Sequence, residues 1–197
     1  MVLLLPGTFD PVHLGHIELA KAAMKAGGLD EVWLLVDAEP AYKANVLPYQ
    51  QRFDMTMLAT DSLPGVSADQ VPEAVRRLPH TMAGFSALME RYPDERFAFI
   101  VGLDMMRRLD TWPDYARVVD DAAFLVARRP GVPVDELESL KVRLGGLGER
   151  LEASEFEFDQ HSEASSSVIR EQVRCGVVPR ELDPRVFAYV REHGLYR

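Results

Sequence analysis

Cysteine is nearly missing from this chain. Cys175 stands alone among 197 residues, so no disulfide can form within it. That usage belongs to a reducing compartment, and the cytoplasm is the expected location. Long apolar runs are missing too. Those at Met1–Pro6 and Val32–Val36 fall far short of the ~20 residues that cross a bilayer, so no membrane partner is expected. No basic stretch precedes Val2–Leu5, and a secretory leader is not expected. Cations are in the minority: 22 Lys and Arg against 31 Asp and Glu leave a net charge of −9. That balance excludes a broad basic surface for nucleic acid. It does not exclude a small anionic ligand, because a few local cations and helix N-termini act at short range. Apolar residues are in good supply, at 47%, which rules out a disordered chain. The length fits one domain spanning 1–197, and a homo-oligomer is compatible with this composition.

Strand and helix signals alternate along the chain. Strands are expected at Val2–Leu5, Glu31–Val36, Val66–Val71, Arg96–Val101, Ala122–Ala127 and Phe156–Phe158, from their branched and aromatic runs. Helices are expected at Leu14–Ala26, stopped by Gly27-Gly28, and at Tyr49–Thr60, with Phe53, Met57 and Leu58 on its apolar side. Further helices are expected at Thr81–Arg91, Leu103–Leu109, from Trp112-Pro113 to Val119, across Val134–Leu151, and at Val168–Cys175 and Pro184–Glu192. This order implies an α/β fold with a mostly parallel sheet, helices on both faces, and a C-terminal helical part from about residue 162 to 197. Ligands of such sheets bind beyond the C-terminal strand ends. Attention therefore falls on Pro6–His16, Asp37–Lys43, Gly102–Asp104 and Arg128-Arg129.

The first of these segments carries the most chemistry. It reads Gly7-Thr8-Phe9-Asp10-Pro11-Val12-His13-Leu14-Gly15-His16. Gly7 lets a ligand approach the backbone. A helix starting near His13 turns free amides and its positive end toward the loop, which suits phosphate. His13 and His16 share one face of the first turn, where two imidazoles can donate to phosphate oxygens. Gly15 between them has no side chain to crowd a nucleotide. A zinc pair would need a third ligand, and none is evident; a GxxxxGK[ST] phosphate loop does not occur. A second candidate anion clamp is Ser165-Ser166-Ser167-Val168-Ile169-Arg170, which places hydroxyls at a helix start and a guanidinium one turn on.

The string GTFDPVHLGH resembles the HxGH signature of the nucleotidyltransferase superfamily, and ASSSVIR is similar to its ISSTxIR motif, with alanine for isoleucine and serine for threonine. FAFIVGLDMMRRLDTWPDYARVVDDAAFLVARRPG and the ending GLYR resemble the bacterial nicotinate-nucleotide adenylyltransferases over essentially the whole chain. The resemblance implies a Rossmann-like nucleotidyltransferase fold and adenylyl transfer from ATP, as a magnesium complex, to nicotinate mononucleotide. It puts His13, His16, Lys43 and Arg170 around the triphosphate. Gly7, Thr8, Phe9, Gly15, Gly102, Asp104 and Ser165 to Ser167 would lie against ATP, with Asp104 on the ribose. Asp10, Thr81, Trp112 and Arg129 would lie against the acceptor, with the Trp112 indole stacked on the pyridine ring. Three positions depart from the family: Pro6 precedes Gly7, Tyr42 stands where a histidine is usual before Lys43, and Pro113 follows Trp112. Two departures touch the acceptor side, so nicotinamide mononucleotide is the alternative acceptor. A non-catalytic nucleotide-binding relative is the alternative of another class.

Overall fold

The computed structural model describes residues 1–40, 43, 45–68, 81–112, 115–133, 135–159 and 165–197, with 81–83 described by backbone alone. Six strands form one sheet: β1 (Val2–Gly7), β2 (Val32–Val36), β3 (Val66–Ser67), β4 (Phe97–Gly102), β5 (Ala123–Arg128) and β6 (Ala153–Glu157). Their order is β3-β2-β1-β4-β5-β6 and every pairing is parallel. The order reverses between β1 and β4, the switch point at which a parallel sheet opens a crevice beyond its strand ends. β1 ends there at Gly7 and β4 at Gly102.

Side chains of the central strands alternate between two buried clusters, as the strand period of two requires. Leu3, Leu5, Val32, Leu34, Val36, Ala98, Ile100, Ala123 and Leu125 face one cluster. Val2, Leu4, Trp33, Leu35, Phe97, Phe99, Val101, Phe124 and Val126 face the other. With both faces covered, these strands read as near-continuous apolar runs. The first cluster is closed by α1 (Leu14–Gly27), α2 (Tyr49–Thr60), α8 (Ser166–Arg174) and α9 (Pro184–Glu192) through Ile17, Ala20, Met55, Ala59, Ile169, Val186 and Val190. The second is closed by α3 (Thr81–Arg91), α4 (Leu103–Met106), α5 (Tyr115–Asp121) and α6 (Glu136–Leu144) through Phe85, Leu88, Met106, Val118 and Leu137. No helix among the described residues is long and apolar enough to cross a membrane.

The expected elements need four corrections. The expected helix across Val134–Leu151 is broken by Gly145, at φ 59 and ψ −130, into α6 and α7 (Gly146–Arg150). The last strand begins at Ala153 and ends at Glu157 rather than running Phe156–Phe158; it lies at the sheet edge, where its polar composition disguised it. α5 begins at Tyr115, and Trp112 instead closes a short 3₁₀ turn at Leu109–Thr111. The strand expected at Val66–Val71 is seen at Val66–Ser67, with residues 69–71 outside those described. A fifth difference concerns α2, whose buried stripe runs through Arg52, Met55, Thr56 and Ala59, while Met57 and Leu58 are only partly buried. Those positions follow i, i+3, i+4, i+7, so the helical period holds, with an arginine inside the stripe.

Gly65 joins α2 to β3 at φ +73, and a methyl added there would overlap the Asp30 carbonyl oxygen. Gly65→Ala is expected to cost at least ~2 kcal/mol through the left-handed backbone and the clash, lowering Tm by roughly 4–8 °C. A melting curve checks this, and an unchanged Tm contradicts it.

Candidate active site

The turn from β1 into α1 lies at the switch point. Its backbone carbonyls point inward and are held by groups from distant parts of the chain. The Gly7 carbonyl accepts the Asp37 amide at 2.9 Å. Arg52, 1% exposed, donates from Nη1 to the Thr8 carbonyl at 2.8 Å, from Nη2 to Ala38 at 3.0 Å and from Nε to Leu47 at 2.9 Å. Burial pulls this guanidinium below its ordinary range, and the Asp10 and Asp37 carboxylates pull it back up. Arg170 Nη1 donates to the Asp10 carbonyl at 2.7 Å, and the Ser166 hydroxyl to the Pro11 carbonyl at 3.0 Å. Phe9 takes φ 49 and buries its ring over Gly7. A methyl on Gly7 would come within 2.7 Å of that ring, so a side chain there would force the buried Phe9 ring to move.

His13 occupies the N-cap of α1 with extended backbone. Its ring stacks on that of His16, with centroids 3.7 Å apart, and Phe9 meets His16 edge-on at 4.9 Å. His16 Nδ1 accepts the His13 backbone N–H at 3.2 Å. The proton of the neutral His16 ring therefore sits on Nε2, which becomes a donor. Burial brings His13 down from 6.5 to about 4. Burial, and then the neighbouring His13 and Lys43, holds His16 well below the usual range. Both rings are neutral at pH 7 in the free protein. An anion between them and the N-terminus of α1 would meet N–H dipoles without displacing a buried charge.

The other expected site residues fall into three groups. Lys43 is exposed and close enough to influence His16 electrostatically. Ser165 caps α8, and its hydroxyl lies 2.7 Å from that of Ser167. These residues, with Thr8, Gly15, Ser166 and Arg170, gather about the first loop. On the β4 side, Gly102 has open space where a side chain would stand, and Asp104 is exposed in the first turn of α4, 3.3 Å from Arg107 Nη1. Trp112 is half-buried against Phe99 and Phe124, with ring centroids at 6.5 and 6.4 Å. Arg129 is exposed beyond β5, whereas Arg128 is tied to the Val132 carbonyl and Glu157. Two expected residues turn inward. Phe9 presents a ligand with backbone alone, and the Asp10 carboxylate, 4% exposed as a residue, accepts the Tyr196 hydroxyl at 2.7 Å. The Thr81 side chain, Tyr42 and Pro113 lie outside the described residues.

Sequence reasoning missed Arg52 and Tyr196. For Arg52 a signal existed: a lone cation in the Arg52, Met55, Thr56, Ala59 stripe of a helix needs buried acceptors. Tyr196 stood in the ending GLYR that matches the family, but its partner Asp10 lies far away in sequence and could not be read there.

The cytidylyltransferase-like family matches the chain over residues 4–172. The nicotinate-nucleotide adenylyltransferase of Bacillus subtilis is 32% identical over 193 residues, covering 96% of this chain and 95% of that protein. Among solved structures, Plasmodium falciparum nicotinic acid mononucleotide adenylyltransferase complexed with APC superposes with a TM-score of 0.72 at 16% identity, covering 99% of this chain and 96% of the other. The same enzyme complexed with NaAD gives 0.71 at 17% identity, with the same coverage. At those identities the structures speak for the fold.

Two outcomes follow from the site's construction. Arg52→Met leaves three carbonyls without their donor and is expected to cost ~3 kcal/mol, a fall in Tm of roughly 6–12 °C. Arg52→Lys should recover less than half, because an ammonium cannot reach three acceptors in the guanidinium plane; full recovery in a melting curve contradicts this role. The depressed His13 sets a pH dependence. The unfolded chain takes up this proton near 6.5, the folded chain only near 4. Stability is therefore fully present above 6.5 and lost as pH falls toward 4. Melts across that window should show a shallower loss in His13→Asn than in the parent; parallel slopes would sink the assignment.

Proposed function

Because the chain belongs to the cytidylyltransferase-like family, and within it to the nicotinate-nucleotide adenylyltransferases, we propose that it transfers the adenylyl group of ATP to nicotinate mononucleotide, releasing pyrophosphate and deamido-NAD. The observation that carries this reading is the stacked His13–His16 pair at the start of α1, on the same loop that Arg170 grips from α8. Such a site binds a run of phosphates and supplies donors where charge builds.

The chemistry needs little else. A phosphate monoester is largely dianionic at neutral pH, so the acceptor is already a nucleophile and no general base is called for. One of its oxygens bonds to the α-phosphorus, the bond from that phosphorus to the bridging oxygen breaks, and the electron pair leaves on pyrophosphate. Alignment and charge stabilisation then carry the rate. His16 Nε2–H donates to the α-phosphate, with His13 beside it. Lys43 and Arg170 hold the β- and γ-phosphates, backed by the amides of Gly7 to Phe9 and the α8 terminus at Ser165 to Ser167. Gly15 leaves room for the nucleotide, Gly102 admits the adenosine, and Asp104 accepts from its ribose. Thr81, Trp112 and Arg129 take the acceptor, and Asp10 contributes by shaping the loop beneath it. A magnesium ion bound with ATP would offset phosphate charge and would be held chiefly through the nucleotide rather than by side chains of this chain. The donor set, being amides, imidazoles and guanidinium groups, suits phosphate oxygens. The single cysteine keeps the cytoplasm as the site of action.

The test is pyrophosphate release with ATP and nicotinate mononucleotide, run beside nicotinamide mononucleotide and CTP controls. The expected result is a preference for the first pair. His16→Ala should lower kcat by roughly 10²–10³, the cost of one donor to a developing charge, with a smaller change in KM. Undiminished turnover in that variant excludes the role, and a faster rate with nicotinamide mononucleotide reassigns the acceptor.

A further inference from the structure

The chain's penultimate residue reaches the centre of the first loop. Tyr196 donates its hydroxyl to Asp10 Oδ1 at 2.7 Å. Its backbone sits at φ 63, a conformation that a bulky residue adopts only when its surroundings hold it there. Two anchors do so: Leu195 is buried in the first core cluster, and its amide donates to the Val190 carbonyl at 3.0 Å. The hydroxyl is raised above its ordinary range, first by burial and then by Asp10, so it stays protonated and remains a donor.

Asp10 is the one carboxylate buried in this loop. Its own carbonyl is gripped by Arg170, and its charge acts on Arg52. With Arg52 committed to three carbonyls, a carboxylate so placed has two remaining partners, the tyrosine hydroxyl or the nearby guanidinium of Arg170. If it took the second, it would withdraw from the phosphates a cation assigned to them and would set a negative charge against them. We infer that Tyr196 is a positioning residue: by holding the Asp10 carboxylate, it keeps that charge turned into the protein and leaves Arg170 available to the triphosphate. The C-terminal segment after α9 thereby becomes part of the nucleotide site without touching the nucleotide. The inference rests on the adenylyl-transfer reading for its effect on ATP, and on the geometry alone for its effect on the loop.

Tyr196→Phe keeps the ring and removes the tether. The KM for ATP is expected to rise about tenfold, the worth of roughly one hydrogen bond to a charged group, while kcat changes less than threefold and Tm by only a few degrees. The same substitution in the Asp10→Asn background should raise KM little further, because no charge is left to restrain. Equal penalties in both backgrounds, or a fall in Tm with KM unmoved, would overturn the role. Hydrogen exchange supplies a readout independent of the reaction. Amides of Thr8 to Val12, other than that of Pro11, which has none, should exchange faster in Tyr196→Phe than in the parent. If the parent enzyme fails to turn over nicotinate mononucleotide, the functional reading falls, and exchange still decides the tether: unchanged protection refutes it.

Discussion

A chain that leaves a buried strand and enters a buried helix carries its peptide carbonyls with it, and each of those needs a donor where water is scarce. That constraint governs the turn between β1 and α1. The Gly7 carbonyl is met by the Asp37 amide, Thr8 by Arg52, Asp10 by Arg170, Pro11 by Ser166, and His13 by the His16 amide. The donors come from beyond β2, from α2, from α8 and from α1 itself. The turn's shape is therefore set by packing of the helices on this face of the sheet as well as by its own residues. With its carbonyls held inward, the His13–His16 pair and the start of α1 are left to the crevice between Gly7 and Gly102. The geometry of the candidate site and the closure of the first core cluster depend on the same contacts.

Electrostatics follows from that arrangement. The molecule carries a net charge of −9, yet the site is built from donors. Its histidines are neutral because burial outweighs the gain from charging them, and each would burden the other if protonated. Its buried cation, Arg52, faces carbonyls and is balanced by Asp10 and Asp37. Surface acids such as Glu152 and Asp120 pair with Arg96 and Arg150, where solvent screens them. A phosphate chain in the crevice meets short-range N–H groups before it feels the distant surface charge, so the overall sign says little about the ligand.

The parts legible in the sequence were those fixed by local pattern. The alternation of apolar runs with helical stretches gave the parallel sheet, since β1, β2, β4 and β5 are each buried on both faces and read as continuous hydrophobic strings. Tyr49–Thr60, Thr81–Arg91 and Pro184–Glu192 were readable to the residue, where proline or a helical stripe marks their ends. β6 was not, because an edge strand with a half-polar face resembles a loop. Within the site, the strand–loop–helix string and the serine cap showed themselves by spacing. The contacts among them could not, since Arg52 to Thr8, Ser166 to Pro11 and Tyr196 to Asp10 span 44, 155 and 186 residues. Inward-turned Phe9 and Asp10 illustrate the same limit: a motif identifies which residues matter, and only the packing tells which way they face.

Arg170 shows why structure and chemistry are hard to separate here. A guanidinium carries five N–H donors in a rigid plane, and the loop takes one of them through Nη1. That bond orients the fork, so under the proposed reaction a phosphate would find the cation already placed and little reorganisation would be needed at the transition state. On the proposed function, removing Arg170 would withdraw a cation from the phosphates and loosen the Asp10 turn in one step, so a loss of rate would combine both effects. Ser166 and Tyr196 touch the same turn from positions without charge. Their contributions bear on shape first, and comparing them with Arg170 is what separates the part of catalysis due to charge from the part due to a loop held in place before the substrate arrives.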